Sequence, residues 1–220
     1  MCQMVLLLLK LMAIKEYGEQ SPLSYMTSTA ANSAIDIASR ALVLIGAEPI
    51  TAFGSSSTES LVATNMYEDT VRATLSSARW RFASEQAVLA AVGSDPTGRF
   101  DKAHQLPANV LVLHAVTVND NLVNYTVYGD KVFSNVATAD TVVADFTFRQ
   151  VESEFPSYFS LALEYSLATI FATAIARSAT LAKLMNEQST LLMAKARNLD
   201  AQQQTTRKLA TSRFITDRRS

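Results

Sequence analysis

Apolar residues recur at helical spacing towards both ends of the chain and at strand spacing in its middle. Between residues 30 and 45, Ile35, Ala38, Leu42 and Ile45 repeat every three to four positions, which predicts an amphipathic helix. Asn32 or Ser33 suits its N-cap, and Gly46 suits a left-handed stop. The chain then turns through Ala47-Glu48-Pro49 and a loop at Gly54–Ser57. Ser56 and Glu59 have the spacing of a capping box, so a second helix is expected to start there. Ala63, Tyr67, Val71, Leu75 and Ala78 share one of its faces. It delivers the only tryptophan, in Arg79-Trp80-Arg81-Phe82-Ala83.

Phe82–Val92 reads as a strand leading to a turn at Gly93-Ser94-Asp95-Pro96, although its alanines also suit a continued helix. Beyond Pro96 the period changes to two. Leu111–Val118 is rich in β-branched residues, and Leu122–Tyr128 alternates, with Val123, Tyr125 and Val127 on one side. Gly129-Asp130 is a turn dipeptide and Lys131–Val136 returns. In Thr141–Arg149, the residues Val142, Ala144, Phe146 and Phe148 oppose Val143, Asp145 and Thr147. These runs predict an antiparallel meander of three or four strands.

Pro156 fits the first turn of a following helix. Its stripe is Phe159, Leu163, Leu167, Ile170 and Ala174, and its alanines permit close approach of neighbouring helices. A further helix runs from Leu181 to about Gln204 through Leu184, Leu191, Leu192, Ala196 and Leu199. The pattern as a whole predicts an α+β, mainly α, fold. Four long helices, two from each end of the chain (30–80 and 156–205), form a bundle. An antiparallel β meander or wing (about 82–150) is inserted between them. Residues 27–206 make one domain and 207–220 an extended C-terminal arm.

Composition narrows the class. Apolar residues make up 49% and charged residues 18%, which suits a globular chain. The net charge of −1 argues against a nucleic-acid binder that uses the whole protein. Charge is unevenly placed, however. From Arg207 onward five cations (Arg207, Lys208, Arg213, Arg218, Arg219) face one acid, Asp217, so an acidic body carries a basic tail. Within that tail Phe214 and Ile215 form an apolar anchor bracketed by arginines, suited to docking into an acidic groove on another protein.

Met4–Ile14 is apolar except for Lys10, too short to span a bilayer and without the flanks of a secretory signal. Helical logic starts at Thr27, so Met26 is the expected natural start, with residues 1–25 an upstream extension and 1–26 set apart from the domain. The alternative is an added amphipathic helix at a subunit contact. Intact mass of the native protein distinguishes the two.

Candidate chemistry is sparse. One cysteine, Cys2, excludes an internal disulfide, and two histidines, His104 and His114, leave too few ligands for a histidine-rich metal site. No metal or cofactor is therefore expected. Glu68 and Asp69 point in different directions on a helix, and Glu152 and Glu154 suit a helix start. No nucleophile elbow or phosphate-cradling glycine loop is present, so no catalytic residue is assigned. Trp80 between Arg79 and Arg81 could stack a base; a core tryptophan with snorkelling arginines is the plainer reading. Trp80, Phe82, Pro49 and Pro156 are assigned as structural anchors.

Several stretches in order resemble the tail tubular protein A family, the head-to-tail adaptors of short-tailed bacteriophages. They are Ala41-Leu42, Ile45-Gly46, Pro49-Ile50, Tyr67, Val71-Arg72, Leu75, Trp80, Phe82-Ala83, Leu106-Pro107, Tyr125-Thr126-Val127-Tyr128-Gly129 and Phe155-Pro156 with Phe159. The resemblance spans about residues 32–205. The chain departs from the family pattern at Ala108-Asn109, where an acid is usual, and near Phe100, where a tyrosine is frequent. The resemblance implies a non-enzymatic virion protein of the tail or neck, made in the host cytoplasm. It implies a homo-oligomeric ring, typically of about twelve copies, below a portal. The ring would extend the DNA channel without specific DNA recognition or membrane contact, and would seat the tail nozzle. The tail residues Arg207–Arg219 would dock on the portal. Two other classes stay open: a tail-associated cell-wall hydrolase using two carboxylates, and a DNA-binding module using Arg79, Arg81 and the tail.

Overall fold

Ser33 opens the first helix by a reciprocal cap: its hydroxyl oxygen accepts from the Asp36 amide (3.1 Å) and donates to the Asp36 carboxylate (2.7 Å). The computed structural model describes residues 31, 33–93, 96, 98–138 and 140–203. The extension at 1–26 and the arm at 207–220 lie outside these residues, as does Asn32. Helix α1 spans Ala34–Leu44. Gly46, at φ 76°, ends it in the left-handed region that a glycine adopts without strain. The Ala47 amide there caps the Leu42 carbonyl at 3.0 Å.

Helix α2 spans Thr58–Ser76, with Ser57 as N-cap, one residue later than the capping-box spacing suggests. It buries Ala63, Tyr67, Val71 and Leu75. Helix α3 spans Ser157–Ala174, entered through Pro156, and α4 spans Ala179–Ala201, capped by Ser178. Between α3 and α4, Arg177 takes a left-handed conformation (φ 49°) that no glycine announces. Helix α3 is the hub on which α1, α2 and α4 all pack.

Among the described residues, eight strands lie between α2 and α3. One antiparallel sheet has the order β1 (Ser84–Val88), β8 (Val142–Phe148), β4 (Val110–Val118), β5 (Asn121–Leu122). The other has the order β2 (Ala90–Ala91), β3 (Lys102–Gln105), β7 (Lys131–Ser134), β6 (Tyr125–Tyr128). Val142, Ala144 and Phe146 point into a core shared with Leu89, Leu106, Val116 and Val132. The helices enclose a larger, separate core around Ile37, Leu42, Val71, Trp80, Phe159 and Phe171.

The expected architecture is thereby corrected. A bundle of four long helices from both chain ends, with one β meander, does not form. Among the described residues there are four α-helices and eight strands in two antiparallel sheets. Helix α1 has only eleven residues, about 16 Å, because Gly46 stops it. It makes little contact with α2, and each packs on α3 instead. The middle of the chain supplies enough apolar alternation to build two sheets around their own core rather than a single appendage.

Candidate functional site

Trp80 is fully buried, and its indole N–H donates to the Thr74 carbonyl at 3.0 Å. The chain leaves α2 through a short 3₁₀ turn, Arg81–Ala83, which seats Phe82 against Trp80, Phe155 and Phe159. Trp80 and Phe159 meet edge-on at 5.1 Å, and Phe155 and Phe159 at 4.9 Å. These four rings fix the joint between the helices and the first sheet. Pro156 is half-buried beside them. Pro49 is exposed, and in its turn the neighbouring Ile50 is the buried residue, its carbonyl accepting from the Ser39 hydroxyl at 2.8 Å.

Two polar clasps reinforce the joint. Arg149, just after β8, donates to Glu68 of α2 through Nε and Nη2 (3.1 and 2.9 Å) and to Glu152 at 2.5 Å. Tyr67 donates its hydroxyl to the same Glu152 oxygen at 3.3 Å. Hydrogen bonding from Arg149 is the main influence holding the Glu68 carboxyl below its ordinary range. Burial, reinforced by the Glu152 charge, pushes the Tyr67 hydroxyl far up. At the far end of α4, buried Asp200 accepts from the Arg81 amide (2.8 Å) and the Tyr158 hydroxyl (2.9 Å). Burial and the Asp200 contact raise Tyr158 to about 12.

These contacts decide what the sequence-level candidates do. Glu68 and Glu152, separate in sequence, converge on one guanidinium. Each is bound to a cation, and Glu68 is held ionised, whereas a general acid needs a raised pKa. Glu164 on α3 is the carboxyl that burial pushes up; Arg40 of α1 lies 3.8 Å from it. Arg79 pairs with Asp145 on β8, so it is engaged within the chain rather than presented to a polyanion. His114 shares a 2.7 Å hydrogen bond with Thr147. Burial lowers both histidines, His104 with help from Lys102 and His114 with help from Arg79. No group of three or more histidine, cysteine, aspartate or glutamate side chains suited to a metal ion occurs among the described residues. No described helix is long and apolar enough to cross a membrane.

No family model matches this chain, and no curated protein matches it.

The surface offers more than the polar groups do. A groove of about 1020 Å³ is lined by Leu106, Pro107, Val110, Leu113, Tyr125 and Val127, among others. It lies between two unsheltered strand margins. Strand β6 is the edge of its sheet. Strand β4 meets β5 only at Thr117 and Val118, so from Val110 to Ala115 its outer margin has no strand partner among the described residues. Two register irregularities in this stretch of β4 twist the margin, a common guard on open edges. Tyr128, Phe133 and Phe100 cluster on a sheet face, with Arg99 over the Phe100 ring at 5.6 Å.

Helix α4 carries the other feature. Its buried residues Met185, Ser189, Ala196 and Asp200 form one stripe, and Ser189 meets Ser166 of α3 at 2.8 Å. Leu184, Leu191 and Leu199 stand exposed about 120° around the helix from that stripe, at 49%, 56% and 47%. Their spacing of seven and eight residues was present in the sequence, where they stood among the apolar positions of a predicted helix with no side assigned as covered. Only the placement of α3 shows which side of the helix is covered.

Proposed function

We propose that this chain is a structural virion protein, a ring-forming head-to-tail adaptor that binds a portal, extends the DNA channel and seats the tail nozzle. Its work is done by surfaces and needs no cofactor. The observation that carries this reading is α4, a helix of 23 residues that buries one face and offers three leucines to solvent on a second face, about 120° around the helix. Such a helix suits a subunit whose second apolar face is covered on assembly. The ordered sequence resemblance supplies the kind of assembly. The wing groove, with its two open strand margins, suits an extended segment of a neighbouring component. The basic tail, Arg207, Lys208, Arg213, Phe214, Ile215, Arg218 and Arg219, is assigned to the portal.

The test is the mass and image of the purified protein, alone and mixed with the portal of the same particle. Rings on the portal, lost when residues 207–220 are deleted, support both the adaptor and its docking arm. Rings retained after deletion remove the arm's role only. A chain that stays solitary in both conditions overturns the reading.

A further inference from the structure

The leucine ridge of α4 has a counterpart on the same molecule. Along α2, Val62, Met66, Asp69 and Ala73, continued by the C-cap residue Ser77, share one stripe and line a trough closed on its other side by Ile170 of α3. It consists of two successive hollows, of about 540 and 450 Å³, that follow one another along α2 and both reach Ile170. From Val62 to Ser77 it runs fifteen residues, about 22 Å. From Leu184 to Leu199 the ridge also runs fifteen residues, so the two lengths agree.

Direction agrees as well. Met193 and Arg197 of α4 border the trough. At 100° per residue they project roughly 170° around the helix from the mean direction of Leu184, Leu191 and Leu199. A ridge and a trough on opposite sides of one chain cannot meet within that chain. They can meet between copies, as a contact that repeats head to tail.

Charge adds a register. Lys195 lies on the ridge between Leu191 and Leu199, and Asp69 lies in the trough between Met66 and Ala73. Both are exposed, and neither is in an ion pair among the described residues. A helix seated along the trough brings the ammonium within reach of the carboxylate.

We infer that the α4 ridge of one copy seats in the α2–α3 trough of the next, and that this contact closes the ring. The occupant is a second copy of this chain, bound as an amphipathic helix in an apolar groove. The inference rests on the ring reading above and adds where the ring is joined.

Two variants separate ridge from trough: Leu191→Glu spoils the ridge and Met66→Glu the trough. Each alone is expected to sediment as a single subunit of 24.0 kDa where the unaltered protein assembles. An equimolar mixture is expected to reach twice that mass and stop, because one good ridge and one good trough remain. Since Met66 is half-buried, a charge exchange provides a check that does not depend on its packing. Asp69→Lys or Lys195→Asp alone is expected to weaken assembly at least tenfold, and the double variant to restore it. Rings that form unchanged in all four single variants place the contact elsewhere and overturn the inference while the adaptor reading stands. An unaltered protein that stays solitary, alone and with portal, overturns both.

Discussion

The helical part and the two-sheet wing of this protein solve the problem of burial differently. The helices surround an aromatic joint in which the Trp80 indole, the Asp200 carboxylate and the Arg149 guanidinium all have partners. The wing has a smaller core of seven buried apolar residues. It also holds the two buried side-chain atoms that lack a hydrogen bond among the described residues, His104 Nδ1 and Ser134 Oγ. Loss of such a bond costs about 1–3 kcal/mol per group. Rigidity is therefore concentrated in the helices, which hold the geometry, and the wing gives up some stability while keeping open strand margins.

Emptying the joint has the largest expected effect. Trp80→Ala removes a fully buried ring together with its bond to Thr74, and is expected to cost about 3–5 kcal/mol in a denaturant melt. Because Trp80 lies between the helices and the first sheet, amide exchange should accelerate in both parts. Exchange that accelerates only in the wing would reverse the assignment of rigidity.

Next in size is the clasp. Arg149→Met keeps the volume near Phe155 but leaves Glu68 and Glu152 without their shared cation. The Arg149 side chain is 16% exposed and Glu68 47%, so screening discounts the loss. About 2 kcal/mol is expected at neutral pH. The Glu68 carboxyl is held low in the folded protein, so its share of the stability is present above the unfolded carboxylate range and disappears as pH falls through the folded value. The gap between the original protein and the variant should therefore narrow on acidification.

Glu164 tests the same helical region with the opposite sign. Burial raises its carboxyl, with Arg40 offsetting part of the effect. A raised folded pKa means the cost of ionisation is absent below the ordinary value of 4.5 and grows as pH rises through the folded value. Glu164→Gln is thus expected to raise the melting temperature at neutral pH by about 2–4 °C and to have no effect near pH 4. A uniform shift across pH would show that packing, not charge, carries the change.

Much of this was legible in the chain, and the misses have causes. Gly46 marked the end of α1, and the period-two alternation of Val142–Phe148 marked the covered side of β8. Strand β3 was missed because Lys-Ala-His-Gln buries an alanine and a histidine side by side, leaving no apolar alternation to read. The sequence left open whether Ser178–Thr180 breaks the helix, because Arg177, not glycine, adopts the left-handed turn after α3. The Arg149 clasp joins residues 81 positions apart, and no local spacing encodes it. The α4 leucines were visible as residues, but their exposure depends on which face α3 covers.

The smallest effect isolates the wing. Ser134 is fully buried on β7, beside Val132 of the core, and its hydroxyl has no hydrogen-bond partner among the described residues. Ser134→Ala removes the unsatisfied oxygen and leaves a space about the size of that atom. The desolvation penalty and the small cavity oppose each other, and the penalty of an unpaired buried hydroxyl is the larger. A gain of about 0.5–1 kcal/mol is expected, with exchange slowed in β3, β6 and β7 and unchanged in α1–α4. A loss of stability would mean that the hydroxyl is satisfied in solution, and the contrast drawn between wing and helices would then rest on core size alone.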